Sequence, residues 1–486
     1  MMSSRIRRVC ISLAAVLFAG VAASLWVAPD QAARTFGLEA IGAGGTASLR
    51  ADLGGLFAAL ALMCGAAAWT QLREWRLAAA AIVAAIVAGR AIAWLVNGGP
   101  TGDIASLAIE LAVLALLTWD QRAFVVVGKA AAVLVVGASG VAVLSSGGAA
   151  QAIYDKGARR LAAATNSAIL NDDALRVAVC GSSAPLASRD RAKACVAVFA
   201  GGKFYVVDVG PESVENLVMW GIPLKSIGGV LLTHFHSDHI GDLGELNLQT
   251  WAGGRPQPLA VYGGPGVEAV VGGFNTAYRT DQGYRTAHHT AEAMPPATWP
   301  MIAQPIALQG EPTPAKNRSN LVLTDGGLTI TAFEVDHSPI EPAYAYRFDY
   351  KGRSVLVTGD LKFHQPLINA ASGVDVMVSE AISTTMTRSL GAGAKTGGRD
   401  QAARILHDIE DYHITPEQAA TMANAAGVKL LVFYHLLPAP DGWLPRRVFA
   451  EGISQARHGD WAIADDGSLY VLPIGSHEIQ RGHAGN

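Results

Sequence analysis

Residues 231–243 read LLTHFHSDHIGDL, an apolar run that ends in three histidines and an aspartate within six positions. Side chains alternate along an extended chain, so in the segment leaving this run His234 and His236 point the same way and can grip one ion from one side. Asp238 and His239 follow as the chain turns, and can face a second ion. A solvated polar loop would read the same over these six residues alone. Imidazole and carboxylate clusters need further ligands to complete a metal site, so a metal reading requires donors elsewhere in the chain. Three later apolar runs end in such donors: His337 in FEVDHSPIEPAYAYRF, Asp360 in SVLVTGD and His435 in VKLLVFYHLLP.

The runs that carry these donors share a grammar with their neighbours. LRVAVCG, CVAVFAGG, FYVVDVG, GGVLLTH, PLAVYGG, RSVLVTGD and VDVMVSE are short, rich in Val and closed by Gly, Asp or another polar residue, which is the pattern of strands bounded by turns. Helical patterns intervene near residues 213–220, 242–251, 267–278 and 415–426. Strands interleaved with helices make an α/β layered domain with mixed strand pairing. The donors then project from strand ends along one sheet edge.

The order HxHxDH, His, Asp, His resembles the metallo-β-lactamase fold superfamily over about residues 175–472, and within it the branch of ribonuclease Z and the zinc-dependent arylsulfatases. The resemblance implies an αββα sandwich holding two divalent metal ions. One ion would be held by His234, His236 and His337, the second by Asp238, His239 and His435, with Asp360 bridging them. Zinc is the expected metal for so His-rich a set, and the carboxylate share also admits manganese or iron. The segment DYHITPEQAATMANAAGVKLLVFYH resembles the catalytic histidine element of ribonuclease Z, with Ile414 where Ser is usual. His413 is therefore the candidate for the group that stabilises or protonates the leaving oxygen. Glu380 in VSEAIS resembles that family's HEAT-type acid and is expected to orient His413, the alternative being a helix cap at a strand end. Asp238 is expected to hold the attacking hydroxide in line. Two departures stand out: Leu361 replaces a commonly seen Thr, and only 23 residues separate His337 from Asp360, where ribonuclease Z inserts a tRNA-clamping arm. That interval has room for one hairpin and no arm.

The other end of the chain is different in kind. Hydrophobic residues make up 51% of the 486 and charged residues 16%, too apolar for a chain that is soluble throughout. Apolar stretches at 9–28, 53–70, 77–96, 104–119 and 123–144 each approach membrane-spanning length. The expected organisation is an all-α transmembrane bundle of about five helices over 1–150, a linker over 151–171 and the hydrolase domain over 172–486. The first stretch, after SSRIRR, also resembles a signal peptide but lacks a clean cleavage site. Arg5, Arg7, Arg8, Arg73, Arg76 and Arg122 fall on one side of the spans, the cytoplasmic side by the positive-inside rule, while Arg34 and Arg50 weaken the asymmetry. Five spans place everything after Ser145 outside the cytoplasm, so the expectation is a bacterial inner-membrane protein with a periplasmic or extracellular hydrolase domain. Arg90 and Glu110 come out level, roughly 9 Å in from the same face at 1.5 Å per residue, and should pair there. Lys129, near a span end, can snorkel.

Four cysteines complete the reading. Cys10 and Cys64 lie in apolar runs as small hydrophobes. Cys180 and Cys195 stand at the end of one strand and the start of the next, either as two free thiols or as a disulfide worth about 3 kcal/mol in an oxidising compartment.

A net charge of −3 provides no basic surface for neutralising phosphates. The expected partners are accordingly a small ester substrate and the lipid bilayer, with no strong nucleic-acid signal. The function expected is a membrane-anchored, dinuclear metal-dependent hydrolase that cleaves a phosphodiester, sulfate ester or related ester by a metal-bridged hydroxide. Two other readings stay open: a ribonuclease Z-like endoribonuclease, which needs cytoplasmic topology, and a membrane sensor or uptake protein with an accessory domain of this fold. The stretch FNTAYRTDQGYRTAHH, with His288 and His289 at its end, reads as a lid or pocket wall, or else as a surface loop. His364, His407, His458, His477 and His483 have no partner pattern and are expected to be exposed.

Overall fold

The computed structural model describes residues 4–34, 38, 42–96, 104–118, 151–152, 154–159, 165–310 and 315–485. The chain divides into two compact units, Met1–Ala163 and Ala164–Asn486.

In the first unit, α1 (Ser4–Val27) packs on α2 (Gly55–Thr70), and α3 (Arg73–Val96) and α4 (Ile104–Leu117) follow. Ile11, Ala14 and Phe18 of α1 share a core with Leu60, Cys64 and Ala67 of α2. Small residues at such a seam let two backbones approach, the usual means by which helices associate in lipid. Other apolar side chains point outward: Leu13, Val16 and Leu62 are exposed, and Trp69 is 88% exposed. Among the described residues two helices, Arg5–Val27 and Gly44–Thr70, are long and apolar enough to cross a membrane. Of the five expected spans, these helices cover the first two. The 14 residues of α4 rise about 21 Å, short of a hydrocarbon layer of about 30 Å. The fifth stretch, residues 123–144 with Lys129, lies outside the described residues. Arg90 of α3 and Glu110 of α4 do meet, with Nη2–Oε1 at 2.6 Å and Nε–Oε2 at 3.0 Å.

The second unit is built from fifteen strands among the described residues. In chain order the first six are β1 (Ala174–Gly181), β2 (Cys195–Ala200), β3 (Lys203–Val207), β4 (Ile227–Leu231), β5 (Leu259–Gly263) and β6 (Met301–Pro305). Then come β7 (Ser319–Asp325), β8 (Leu328–Glu334), β9 (Tyr344–Tyr350), β10 (Arg353–Val357), β11 (Val376–Ile382), β12 (Leu430–Leu437) and β13 (Asp460–Ile463). The last two are β14 (Ser468–Pro473) and β15 (Gln480–His483). They form two sheets, ordered β15-β14-β1-β2-β3-β4-β5-β6 and β13-β12-β11-β10-β9-β8-β7. Val177, Val198, Tyr346, Phe348, Val357 and Val432 lie in the core shared by both sheets. Met377, Leu431 and Phe433 of the second sheet share a further cluster with Ala419 and Ala423 of the helix Pro416–Ala425. Phe199 and Val206 of the first do the same with Leu217 of the helix Ser213–Met219 and Leu246 of Leu243–Ala252. Helices therefore cover the outer face of each sheet, which gives the α/β sandwich its four layers and explains why β1, β2, β10, β11 and β12 are buried along their whole length.

One topological feature positions the chemistry. In the first sheet pairing is antiparallel from β15 to β3 and parallel from β3 to β6. In the second it is antiparallel from β7 to β10 and parallel from β10 to β13. The change of pairing leaves a crevice at the carboxyl ends of the parallel strands, where α/β sheets bind their ligands. β4, β10, β11 and β12 all end there. Nearby, a disulfide joins Cys180 at the end of β1 to Cys195 at the start of β2, while Cys10 and Cys64 remain free.

Candidate metal centre

Val230, Leu231 and Leu232 are wholly buried, so β4 is anchored in the core until its last residue and only then releases Thr233 and His234 from the sheet edge. His236 ends this extended segment, and the short helix Ser237–Ile240 turns Asp238 and His239 inward, with His239 N–H donating to the His236 carbonyl at 3.0 Å. Asp360 follows β10 through Gly359, whose φ of +60° suits glycine and whose Cβ would stand 2.8 Å from that of Thr233. This close approach brings the ends of β4 and β10 together. His435, within β12, takes a φ of +42°, a left-handed conformation that a non-glycine residue keeps only when its surroundings hold it.

The residues singled out in the sequence converge. His234, His236, His337 and Asp360 present ligand atoms within 4.8 Å of one another, and so do Asp238, His239 and His435. Asp360 lies between the two sets. Its Oδ2 is 3.9 Å from His234 Nε2 and from His337 Nε2 on one side, and 3.4 and 3.5 Å from the Nε2 atoms of His239 and His435 on the other. Asp238 Oδ2 stands 3.2 Å from His435 Nε2 and 3.6 Å from His239 Nε2. A third grouping of potential ligands, Asp360, Glu380, His413 and His435, adjoins these.

Each ring is turned by what its far nitrogen touches. His337 Nδ1 donates to the Tyr412 carbonyl at 2.9 Å and His239 Nδ1 donates to Asp208 Oδ2 at 2.8 Å, so both keep the Nε2 lone pair for the centre. Asp208 was not singled out from the sequence. Its carboxylate also accepts from the Thr233 backbone N–H at 2.8 Å and the Thr233 hydroxyl at 2.7 Å, and Thr233 Oγ1 lies 3.1 Å from His234 Nδ1. The signal was present in FYVVDVG, a Val-rich strand closed by an aspartate, the same grammar that marked Asp360 in SVLVTGD.

The electrostatics suit a divalent cation. Burial drives the proton affinity of His234 far down and that of His337 down to about 4, leaving neutral rings with free lone pairs at neutral pH. Burial would raise Asp238, but the charge of His239 and the hydrogen bond from His435 pull it to about 2, so it stays ionised. Burial also opposes a proton on His239, yet Asp360, Asp208 and Asp238 together raise its affinity well above the usual value, and the same field stabilises any cation placed among them. His337 Nε2 and Asp360 Oδ1 are buried without a hydrogen-bond partner. Such atoms are costly unless something of opposite character meets them. A metal ion answers that cost, so the donor set fits one.

Glu380 is wholly buried and brings both oxygens to His413 Nδ1, at 2.9 and 3.0 Å, while Oε1 also accepts from the Leu361 backbone N–H at 2.9 Å. It caps no helix; Ser383 caps the helix Thr384–Thr396. His413 Nδ1 lies 3.8 Å from Asp360 Oδ2, beside the two ligand sets. Burial lowers His413, but the charge and hydrogen bond of Glu380 outweigh it and raise the ring's proton affinity. A buried imidazole whose proton affinity is raised can deliver a proton to a leaving group placed beside it.

Two expectations fall elsewhere. His364 is buried rather than exposed, with its Nε2 2.8 Å from the Lys316 carbonyl, because the loop after Asp360 folds inward. His288 and His289 are exposed on the helix Arg279–Ala293, ring to ring at 4.7 Å, outside the cluster. His407, His458, His477 and His483 are exposed.

Residues 205–436 match the model of the β-lactamase superfamily domain. The chain is 31% identical over 268 residues to a protein named ribonuclease Z from Mycobacterium avium (strain 104), which spans 54% of this chain and 87% of the relative. It is 32% identical over 269 residues to the ribonuclease Z of Mycobacterium bovis (strain BCG / Pasteur 1173P2), with the same coverage. Among solved structures, the metallo-β-lactamase fold protein YhfI from Bacillus subtilis aligns with 62% of this chain and 100% of its own, at 21% identity and a TM-score of 0.42. The short form of human tRNase Z gives 62%, 100%, 19% and 0.43. The relatives correct one expectation. A small ester substrate without a nucleic-acid signal was inferred from net charge, yet proteins named as ribonucleases share nearly a third of the matched residues. Net charge averages over the whole surface and both units, and says little about a crevice whose cations would be metal ions.

Proposed function

The chain belongs to the metallo-β-lactamase superfamily, with ribonucleases Z as its kin, and on that premise we propose a membrane-anchored, dinuclear metallohydrolase that cleaves phosphodiester bonds in RNA. Membership makes it a metal-dependent hydrolase of ester bonds. The observation that carries the finer reading is the convergence of seven donors into two sets around Asp360 Oδ2, with the Glu380–His413 pair alongside.

In this reading His234, His236 and His337 hold one ion, Asp238, His239 and His435 hold the other, and Asp360 reaches both. Zinc suits the His-rich ligation best. Two such cations, when bound, lower the pKa of an attacking water and neutralise charge on the phosphate. The chain supplies the rest. Asp238, ionised at any working pH, accepts a hydrogen bond from the nucleophile and keeps it in line with the phosphorus. As the bond from phosphorus to the leaving oxygen breaks, His413 gives its proton to that oxygen, and Glu380 steadies the imidazolium before the transfer and the ring after it. The hairpin of β9 and β10 fills most of the interval between His337 and Asp360, so the rim of the centre itself must grip the strand.

The outward apolar side chains of α1 and α2 support anchoring in lipid. The Cys180–Cys195 disulfide favours a catalytic unit outside the cytoplasm. A reporter fused after Asn486 should be active outside the cytoplasm and silent inside. The catalytic test uses the full chain purified in detergent and a labelled oligoribonucleotide. Cleavage should disappear with a chelator and return with Zn2+, and His413→Ala should lower kcat by about 10²–10⁴. Cleavage that survives both chelation and Asp238→Ala rejects the reading.

A further inference from the structure

Tyr412 stands beside the centre without taking part in metal ligation. Its carbonyl accepts the His337 Nδ1–H at 2.9 Å, which fixes this residue's backbone to a ligand. Its ring lies 5.1 Å from the His337 ring at 73° and 4.6 Å from the His413 ring at 43°. Tyr412 is half-buried and packs against the apolar cluster of Ala184, Ile382, Leu406, Ile409 and Leu437, so it is held in place without being sealed from solvent. Burial, then Asp360 and Asp238, raise the phenol's proton affinity, placing it within the field of the centre's carboxylates.

A strand of RNA offers two handles to a protein, its phosphates and its bases. In the ribonuclease reading the two ligand sets and His413 face the phosphate, and an aromatic ring beside them can meet a base. Stacking on an aromatic ring tolerates any base, because every base has a π-face. A base resting next to His413 would set its adjoining phosphate beside the proton donor and the metal ligands. We propose that Tyr412 is a substrate-binding residue, a platform on which the nucleobase flanking the scissile phosphate stacks; this rests on the ribonuclease reading above.

The test is a cycle between enzyme and substrate, using the full chain with metal bound. An oligoribonucleotide carrying an abasic residue next to the cleavage site is compared with the intact strand, for the wild type and for Tyr412→Ala. Tyr412→Ala should raise KM for the intact strand about tenfold, with kcat falling less than about threefold. The abasic residue should cost the wild type a similar factor and the variant little, since the two changes remove one contact. Tyr412→Phe and Tyr412→Trp should keep KM close to the wild type. Equal abasic penalties in wild type and Tyr412→Ala overturn the platform, as does a loss confined to kcat or a Phe variant as damaged as Ala. A metal-loaded wild type that cleaves no oligoribonucleotide overturns the ribonuclease reading and the platform together, whereas cleavage without coupling overturns the platform alone.

Discussion

Glu380 presents both carboxylate oxygens to His413 Nδ1, at 2.9 and 3.0 Å, with the acid wholly buried and the ring nearly so. Burial alone would leave the ring neutral; the carboxylate reverses this and raises the pKa. A raised pKa means that the proton is present below it and lost as pH rises through it, so an acid catalyst of this kind gives an alkaline limb in the profile of kcat against pH. Glu380→Gln keeps the shape but removes the charge, and the limb should move to lower pH. A limb that stays in place would show that His413 is not the group being titrated.

Asp208 holds three groups at once: the Thr233 N–H, the Thr233 hydroxyl and His239 Nδ1. Asp208→Ala leaves those donors buried and unmatched, at a cost of about 1–3 kcal/mol for each one that finds no other partner. It also frees the His239 ring, and outer partners of metal-bound histidines typically carry 10–100-fold in metal affinity. Asp208→Asn should fall between, because an amide oxygen can accept but its NH₂ cannot. Competition with a chelating dye measures the order expected: wild type tightest, Asn next, Ala weakest.

The sequence exposed seven donors at the ends of apolar runs, and missed Asp208, which sits in the same setting. HxHxDH, His337, Asp360 and His435 each follow or end an apolar run, and a strand end throws its side chain into the crevice. Asp208 follows β3 in the same manner, but its contacts to Thr233 and His239 come from another strand end, and its φ of +57° is invisible in composition. His364 misled because nothing local distinguishes a histidine on a loop that folds inward. The paired sheets followed from Val-rich runs and turn residues, whereas their order came only from the structure, because strand pairing depends on contacts between residues far apart in the chain. In the first unit apolar content was plain, and among the described residues two helices have the length and hydropathy that spanning requires.

Arg90 and Glu110 form a two-pronged pair, with side chains 27% and 17% exposed. Removing Arg90 strands the Glu110 charge in an apolar setting. Arg90→Leu or Glu110→Leu should each destabilise the first unit by about 2 kcal/mol, between the values for exposed and buried pairs. The double variant should recover most of the loss, since apolar replacements of a whole pair are often neutral. Unfolding of the full chain in detergent, followed by Trp emission, measures this; additive losses would show that the two side chains act independently.

Metal content tests the centre most directly. The full chain, purified without chelators and analysed for transition elements, should carry close to two ions per chain. His337→Ala and His435→Ala, which disarm different sets, should each reduce that to about one while the fold is kept. A wild type devoid of metal, or a content that neither substitution changes, would contradict the account.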